Sequence, residues 1–119
     1  TGSVVGVDPD IMGIGPAYAI PRALQRAGLG QNDLNVIEIN EAFAPQVLAC
    51  LEAMSPSTFS LSRLNPHGGA ISLGHPLGAS GARLALTTLH DLRRNGGGYG
   101  IASACIGGGQ GIAAIFSAN

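Results

Sequence analysis

Three stretches of this chain carry residue types suited to acid–base and acyl chemistry. The first is Asn40-Glu41-Ala42-Phe43. The second runs from Asn65-Pro66-His67-Gly68-Gly69 through Gly74-His75-Pro76-Leu77-Gly78-Ala79-Ser80-Gly81-Ala82-Arg83. The third is Cys105-Ile106-Gly107-Gly108-Gly109-Gln110-Gly111. His75 titrates near neutrality as a residue type and is fixed between a glycine and a proline, a rigid setting for proton transfer. Glycines in the same loop permit positive φ and close backbone approach. Cys105 places a thiol beside exposed backbone N–H groups, which stabilise an oxyanion or lower a thiol's pKa.

Each stretch also has a plain structural account. The long loop could be a tight turn capped onto a helix, and Cys105 a buried cysteine before a hairpin. A histidine just ahead of a helix start, and a thiol ringed by four glycines, tip both toward chemistry. Cys50, on the apolar face of a helix, fits the core. Other chemistries fail on spacing. Gly78-Ala79-Ser80-Gly81 is not a hydrolase nucleophile elbow. Gly107 to Gly111 leads into a strand, so it is a poor dinucleotide loop. His67, His75, His90 and Cys105 lack zinc-ligand spacing, so no metal is expected. Without a lysine in the chain, a phosphate loop with its Gly-Lys pair is impossible.

The elements that must position these residues can be read from periodicity. Val4–Val7 and Val36–Ile39 are short strands, and 16–27 is a helix followed by Gly28 as a stop. Asn40 opens and caps a helix to about Met54, with Phe43, Val47, Cys50, Leu51 and Met54 on one side. Alternation over Phe59–Leu64 gives a weak third strand. Ser80 caps a helix to Arg94 whose stripe is Ala82, Ala85, Leu86, Leu89 and Leu92. Tyr99–Cys105 and Gly111–Phe116 form antiparallel neighbours. The order is β-α-β-α-β-α-β-β, a layered α/β unit with one antiparallel edge. Asn40, the long loop and the Cys105 run all follow strand ends, where α/β sheets bind ligands.

Composition narrows the class. The 119 residues suit one core, and most of the 19 glycines fall between Gly68 and Gly111 without a collagen repeat. All six basic residues are scattered arginines at net charge −1, which argues against nucleic-acid binding. Apolar runs are too short for a membrane span, and no export leader is visible. Two cysteines suggest a reduced setting. With 11% charged residues, much of the outside is expected to be covered by another domain or subunit.

At the three stretches the chain resembles the thiolases, the acetyl-CoA acetyltransferases and 3-ketoacyl-CoA thiolases. Asn40-Glu41-Ala42-Phe43-Ala44 is similar to that family's Asn-Glu-Ala-Phe motif. The run Asn65 to Arg83 resembles its Gly-His-Pro-x-Gly-x-Ser-Gly signature, and Cys105 to Gly111 its Cys-x-Gly-Gly-Gly-x-Gly signature. Gly6-Val7-Asp8-Pro9 and Met12-Gly13-Ile14-Gly15-Pro16 also match. The resemblance implies a thiolase-like layered fold in which residues 1–119 form the C-terminal domain, one half built on a mixed five-stranded sheet.

It further implies roles. His75 takes the proton of a nucleophilic cysteine that belongs to the family's first half and matches neither Cys50 nor Cys105. Cys105 is the second acid/base, its thiol brought near neutrality by N–H donors and a neighbouring histidine. Asn40 holds a water that stabilises an enolate oxygen with His75. The Gly107 N–H serves a second oxyanion hole, and Ala42 and Phe43 line the pantetheine channel. Among the motif loops only Arg83 offers coenzyme A phosphates a cation. The implied reaction is a Claisen condensation or its reverse on acyl-CoA, without a cofactor. Implied partners are the N-terminal half and a second copy in a homodimer or homotetramer. A bacterial, cytoplasmic source is a guess from arginine use, with organelles open. The isolated domain is expected to be inactive; the alternative is a non-catalytic fragment that only folds or associates. Ketoacyl synthases match less well at Cys105-Ile106-Gly107.

Overall fold

Successive residues of a strand point to opposite faces of a sheet, and in β2 (Leu34–Ile39) both faces are buried. Ile37 and Ile39 join a cluster with Ile20, Leu24, Val47, Cys50 and Leu51 on one side. Val36 and Glu38 point the other way and are 0% exposed. A strand covered on both faces belongs in the middle of a layered fold. The computed structural model, which describes residues 1–54 and 60–119, has that form.

The elements are β1 (Gly2–Gly6), α1 (Gly15–Ala27), β2, α2 (Ala44–Ala53), α3 (Ala70–Leu73), α4 (Leu77–Arg94), β3 (Gly98–Ile106) and β4 (Gln110–Ala118). Short 3-10 turns lie at Pro9–Ile14, Gln31–Asp33 and Leu61–Arg63. The sheet order is β1-β4-β3-β2. β2 runs parallel to β3, and β4 is antiparallel to both β3 and β1. α1 and α2 cover one face, while α4 packs across β2, β3 and β4 on the other. Among the described residues no helix is long and apolar enough to cross a membrane.

Three expectations need correcting. The mixed sheet has four strands, not five. Of the predicted strand Phe59–Leu64, Phe59 lies outside the described residues and Leu61–Arg63 coil. Leu64 alone makes a bridge, parallel to Ile37. Asn65, at φ 43°, then turns the chain, and its side chain takes over the β2 edge. Its Oδ1 accepts from the Ile39 N–H at 2.9 Å, and its Nδ2 donates to the Ile39 carbonyl at 3.0 Å.

The predicted helix caps are displaced. Asn40 prolongs β2 by donating its N–H to the Ser103 carbonyl at 2.8 Å. α2 starts only at Ala44, because Pro45 is tolerated in a first turn and not deeper. Ser80 likewise lies inside the first turn of α4.

The predicted α4 stripe faces the sheet only in part: Leu92 is buried, while Ala82 and Leu86 are exposed. Ser80, Leu84, Thr88, Asp91 and Leu92 are buried, whereas Leu86 is 56% exposed and Leu77 82%. Thr88 donates its hydroxyl to the Leu84 carbonyl at 2.9 Å, and Ser80 to the Pro76 carbonyl at 3.1 Å. Hydroxyls satisfied within their own helix can face an apolar sheet. That frees the Ala82–Leu86 side to point outward, so α4 has a second apolar face.

Candidate active site

The parallel pairing of β2 with β3 sets Ile39 beside Ser103. Asn40 is therefore carried to the sheet end at which Cys105 sits. Cys105 lies within the β3–β4 ladder, opposite Gly111, and Gly107–Gly109 close the hairpin. Gly108 and Gly109 adopt φ of 81° and 86°, which a side chain would strain.

His75 reaches the same end from the α4 side. Gly74, at φ 98°, swings the chain out of α3, and Pro76 leads into α4. The imidazole Nδ1 lies 2.6 Å from the Ser80 hydroxyl and Nε2 lies 3.5 Å from Asn40 Nδ2. A hydroxyl donates one proton, and Ser80 gives its proton to the Pro76 carbonyl. With the Ser80 proton on that carbonyl, Nδ1–H donates to Ser80 and Nε2 is the acceptor that faces the Asn40 amide. The arrangement thus presents a base at Nε2. Asn40 is only 2% exposed, and its Oδ1 has no partner among the described residues.

Beneath this dyad, Glu41 and Asn65 brace the loop. Glu41 accepts from Asn65 Nδ2 at 3.2 Å and from the Ile71 N–H at 3.0 Å. A Cβ on Gly69 would lie 2.5 Å from the Glu41 carboxyl carbon, so a side chain there would push Glu41 off this brace. On the far side, His67 and Asp91 approach to 2.6 Å and tie the loop to α4.

Burial raises the Cys105 thiol above its usual value, with only its own backbone pulling it down. That reverses the expected approach to neutrality: the glycine N–H groups and His75 supply no stabilising bond to its sulfur. Gly107 is exposed, with nothing near its missing side chain. Gly109 and Gly111 have packing work. A Cβ on Gly109 would lie 2.3 Å from the Val7 carbonyl, and one on Gly111 2.3 Å from the Gly15 carbonyl. Their density therefore reflects close backbone approach as well as chemistry.

Phe43 is exposed on the rim of a groove of about 470 Å³ that it shares with Ile11, Met12, Gly13, Gln46 and Ala49. Ala42 precedes it, partly buried. Arg83 is not free for phosphates: its Nη1 donates to Glu38 Oε2 at 3.2 Å. Cys50 is buried and donates to the Gly13 carbonyl at 3.3 Å, as its core reading requires, and His90 is exposed on α4. Among the described residues no three histidine, cysteine or acidic side chains gather as a metal would need.

The structure thus joins Asn40 to His75 directly and brings Cys105 and Gly107 to the same sheet end without a bond to that pair. Sequence reading missed Ser80 as the group that orients His75, and Glu41, Asn65 and Glu38 as braces. Glu41 could have been singled out, since it adjoins Asn40 in a chain with few acids. Asn65 gives no such signal, because backbone mimicry depends on its φ.

Comparison with known proteins places the fold and the family. Residues 1–118 match the family model described as the thiolase C-terminal domain. The chain is 58% identical over 115 residues to the peroxisomal 3-ketoacyl-CoA thiolase B of Rattus norvegicus, covering 96% of this chain and 26% of the relative. It superposes with a TM-score of 0.94 on human mitochondrial 3-ketoacyl-CoA thiolase crystallised with CoA, at 52% identity over 99% of this chain and 29% of that one. With peroxisomal 3-ketoacyl-CoA thiolase of Saccharomyces cerevisiae, described as five α-β-α-β-α layers built from two core domains of identical topology, the TM-score is 0.92 at 49% identity, covering 100% of this chain and 33% of that one. These relatives are peroxisomal and mitochondrial, and a cytoplasmic setting finds no support among them. The chain spans about a quarter of the curated relative's length. On the family match and the identities together, the chain belongs to the thiolase family, as its C-terminal domain.

Proposed function

We propose that this domain supplies the base, the second acid and the enolate site of an acyl-CoA acyltransferase that makes or cleaves 3-ketoacyl-CoA. The observation that carries the reading is the Asn40–His75–Ser80 chain, which leaves Nε2 basic at the sheet end shared with Cys105. In cleavage, Nε2 takes the proton of a cysteine from the preceding half. The thiolate attacks the 3-keto carbon, the C–C bond breaks, and the electron pair becomes an acetyl-CoA enolate. His75 N–H and a water accepted by Asn40 Oδ1 steady that oxygen, and Cys105 protonates the carbon. CoA thiol gives its proton to the Cys105 thiolate and attacks the acyl-enzyme, with the Gly107 N–H on its oxyanion, and the expelled cysteine thiolate takes its proton back from His75. A thiol held above its usual pKa by burial keeps the proton this step needs. Condensation is the reverse, and neither direction calls for a cofactor besides the thioester itself.

Ala42 and Phe43 would meet pantetheine, with the groove beside Phe43 receiving the acyl end. The outward face of α4, with Ala82 and Leu86 exposed, suits cover by the preceding half. The assembled enzyme is read as a homodimer or homotetramer. An organelle is favoured by the relatives and bacterial cytoplasm by arginine use; imaging of the tagged parent protein decides.

The test is a chimera in which this chain replaces the C-terminal domain of the human mitochondrial enzyme. It should thiolyse acetoacetyl-CoA, and His75→Ala should lower kcat by about 10²- to 10⁴-fold, the usual worth of a positioned base. An active chimera indifferent to His75→Ala would overturn the assignment. A well-folded chimera that turns nothing over would instead favour the non-catalytic fragment.

A further inference from the structure

Asn40 and His75 sit on different elements, and the contact between them spans 3.5 Å. What fixes that spacing lies beside it. Glu38 is two residues before Asn40, so both side chains leave β2 toward α4. Arg83 is three residues after Ser80, so both lie on the same side of α4. Glu38 Oε2 and Arg83 Nη1 meet at 3.2 Å, with Glu38 0% and Arg83 25% exposed. Two links therefore join β2 to α4 side by side: Asn40–His75–Ser80 at the sheet end and Glu38–Arg83 one step back along the strand. We propose that the Glu38–Arg83 pair is a positioning clamp for the Asn40–His75 dyad, tightened by ionisation of Glu38, so that it sets turnover while adding nothing to stability. The proposal rests on the function given above.

The clamp is half satisfied. Glu38 Oε1 and Arg83 Nη2 are buried without a partner among the described residues, so the pair's geometry rests on a single charge-assisted bond. Such bonds are roughly twice as strong as neutral ones. The other charged groups facing Glu38 are His67 from the loop before α3, which favours its ionised form, and Asp91 from α4, which opposes it. Burial outweighs Arg83 and raises the carboxyl from 4.5 to about 7. An acid raised on folding withdraws stability as pH climbs from the unfolded to the folded value. The loss of stability therefore builds between pH 4.5 and about 7 and stays in full above it, where Glu38 is ionised and the clamp is tight. A buried ion pair retained at such a disadvantage fits a role in geometry rather than in stability.

The experiment uses the enzyme assembled with its first half, with Glu38→Gln as the isosteric neutral variant. At pH 8.5 kcat for thiolysis should fall about tenfold with KM unchanged, as small misplacements of reacting groups do. Over the same interval Tm should rise, or fall by less than about 3 °C. The ratio of wild-type to variant kcat should then approach one as pH drops through about 7 toward 5.5, where Glu38 is itself neutral. Arg83→Met should lose a similar factor, and Arg83→Lys should recover to within about threefold because it keeps the charge. A ratio constant with pH, or parallel losses of kcat and Tm, would mark an ordinary structural pair and overturn the clamp. If Glu38→Gln does not fold, the Arg83 pair decides alone: equal loss in both variants refutes the proposal. Should the unsubstituted assembly lack thiolysis, the functional reading fails instead. The clamp is then read from the His75 ring ¹⁵N shifts, which should follow Glu38 titration in wild type and stay flat in Glu38→Gln.

Discussion

A hydroxyl has one proton to give, and at Ser80 it goes to the Pro76 carbonyl 3.1 Å away. While that bond holds, Nδ1 of His75 donates to Ser80 and Nε2 accepts. Ser80→Ala removes the acceptor and lets the ring populate both tautomers. We expect kcat for thiolysis to fall about 10- to 100-fold, as when an orienting partner is lost, with KM near its wild-type value; unchanged kcat would show that Ser80 only packs. Cys105 divides the chemistry differently. In the assembled enzyme Cys105→Ala should still form the acyl-enzyme, seen by intact mass, while condensation is lost, since the methyl proton has no acceptor. Loss of acylation as well would mean that the division of labour between His75 and Cys105 is wrong. His75 and Cys105 could both be picked from the sequence, because few residue types do this chemistry. Ser80 was visible there only as a helix cap; its bond to Nδ1 depends on how Gly74 turns the chain.

At the scale of elements, the glycine run after Cys105 looks uniform in sequence and is not so in space. A Cβ on Gly111 would meet the Gly15 carbonyl group at 2.3 Å, backbone against backbone, whereas one on Gly107 meets nothing within 4 Å. Gly111→Ala should therefore push the start of α1 off β4 and destabilise the domain by about 3 kcal/mol, at the upper end of overpacking. Gly107→Ala should stay within about 0.5 kcal/mol, as for a surface change. Thermal denaturation of the two variants compares them directly, and equal shifts would refute this reading of the hairpin. Strand and helix positions were legible because periodicity records burial. The α4 stripe was legible only in part, since Ser80 and Thr88 hide their hydroxyls against their own helix. The fifth strand failed for a similar reason: Asn65 substitutes a side chain for backbone pairing along β2.

At the scale of the whole molecule, exposed apolar surface surrounds the site. Ile71, Leu73 and Leu77, exposed by 64%, 62% and 82%, flank His75 on both sides in sequence. For His75 to serve as the proposed base it needs a nucleophile, and neither thiol among the described residues suits. Cys50 is fully buried, donates to the Gly13 carbonyl and is raised by burial. Cys105 is raised for the same reason. Both thiols are thus protonated near pH 7, and a thiol reacts with a thioester as thiolate. The 119-residue chain alone, incubated with acetoacetyl-CoA, should give no acyl adduct by intact mass. Adding the cysteine-bearing half should produce one, located on that half after digestion. An adduct on Cys50 or Cys105 in the isolated chain would mean that burial does not silence them, and that the domain carries a nucleophile as well as a base.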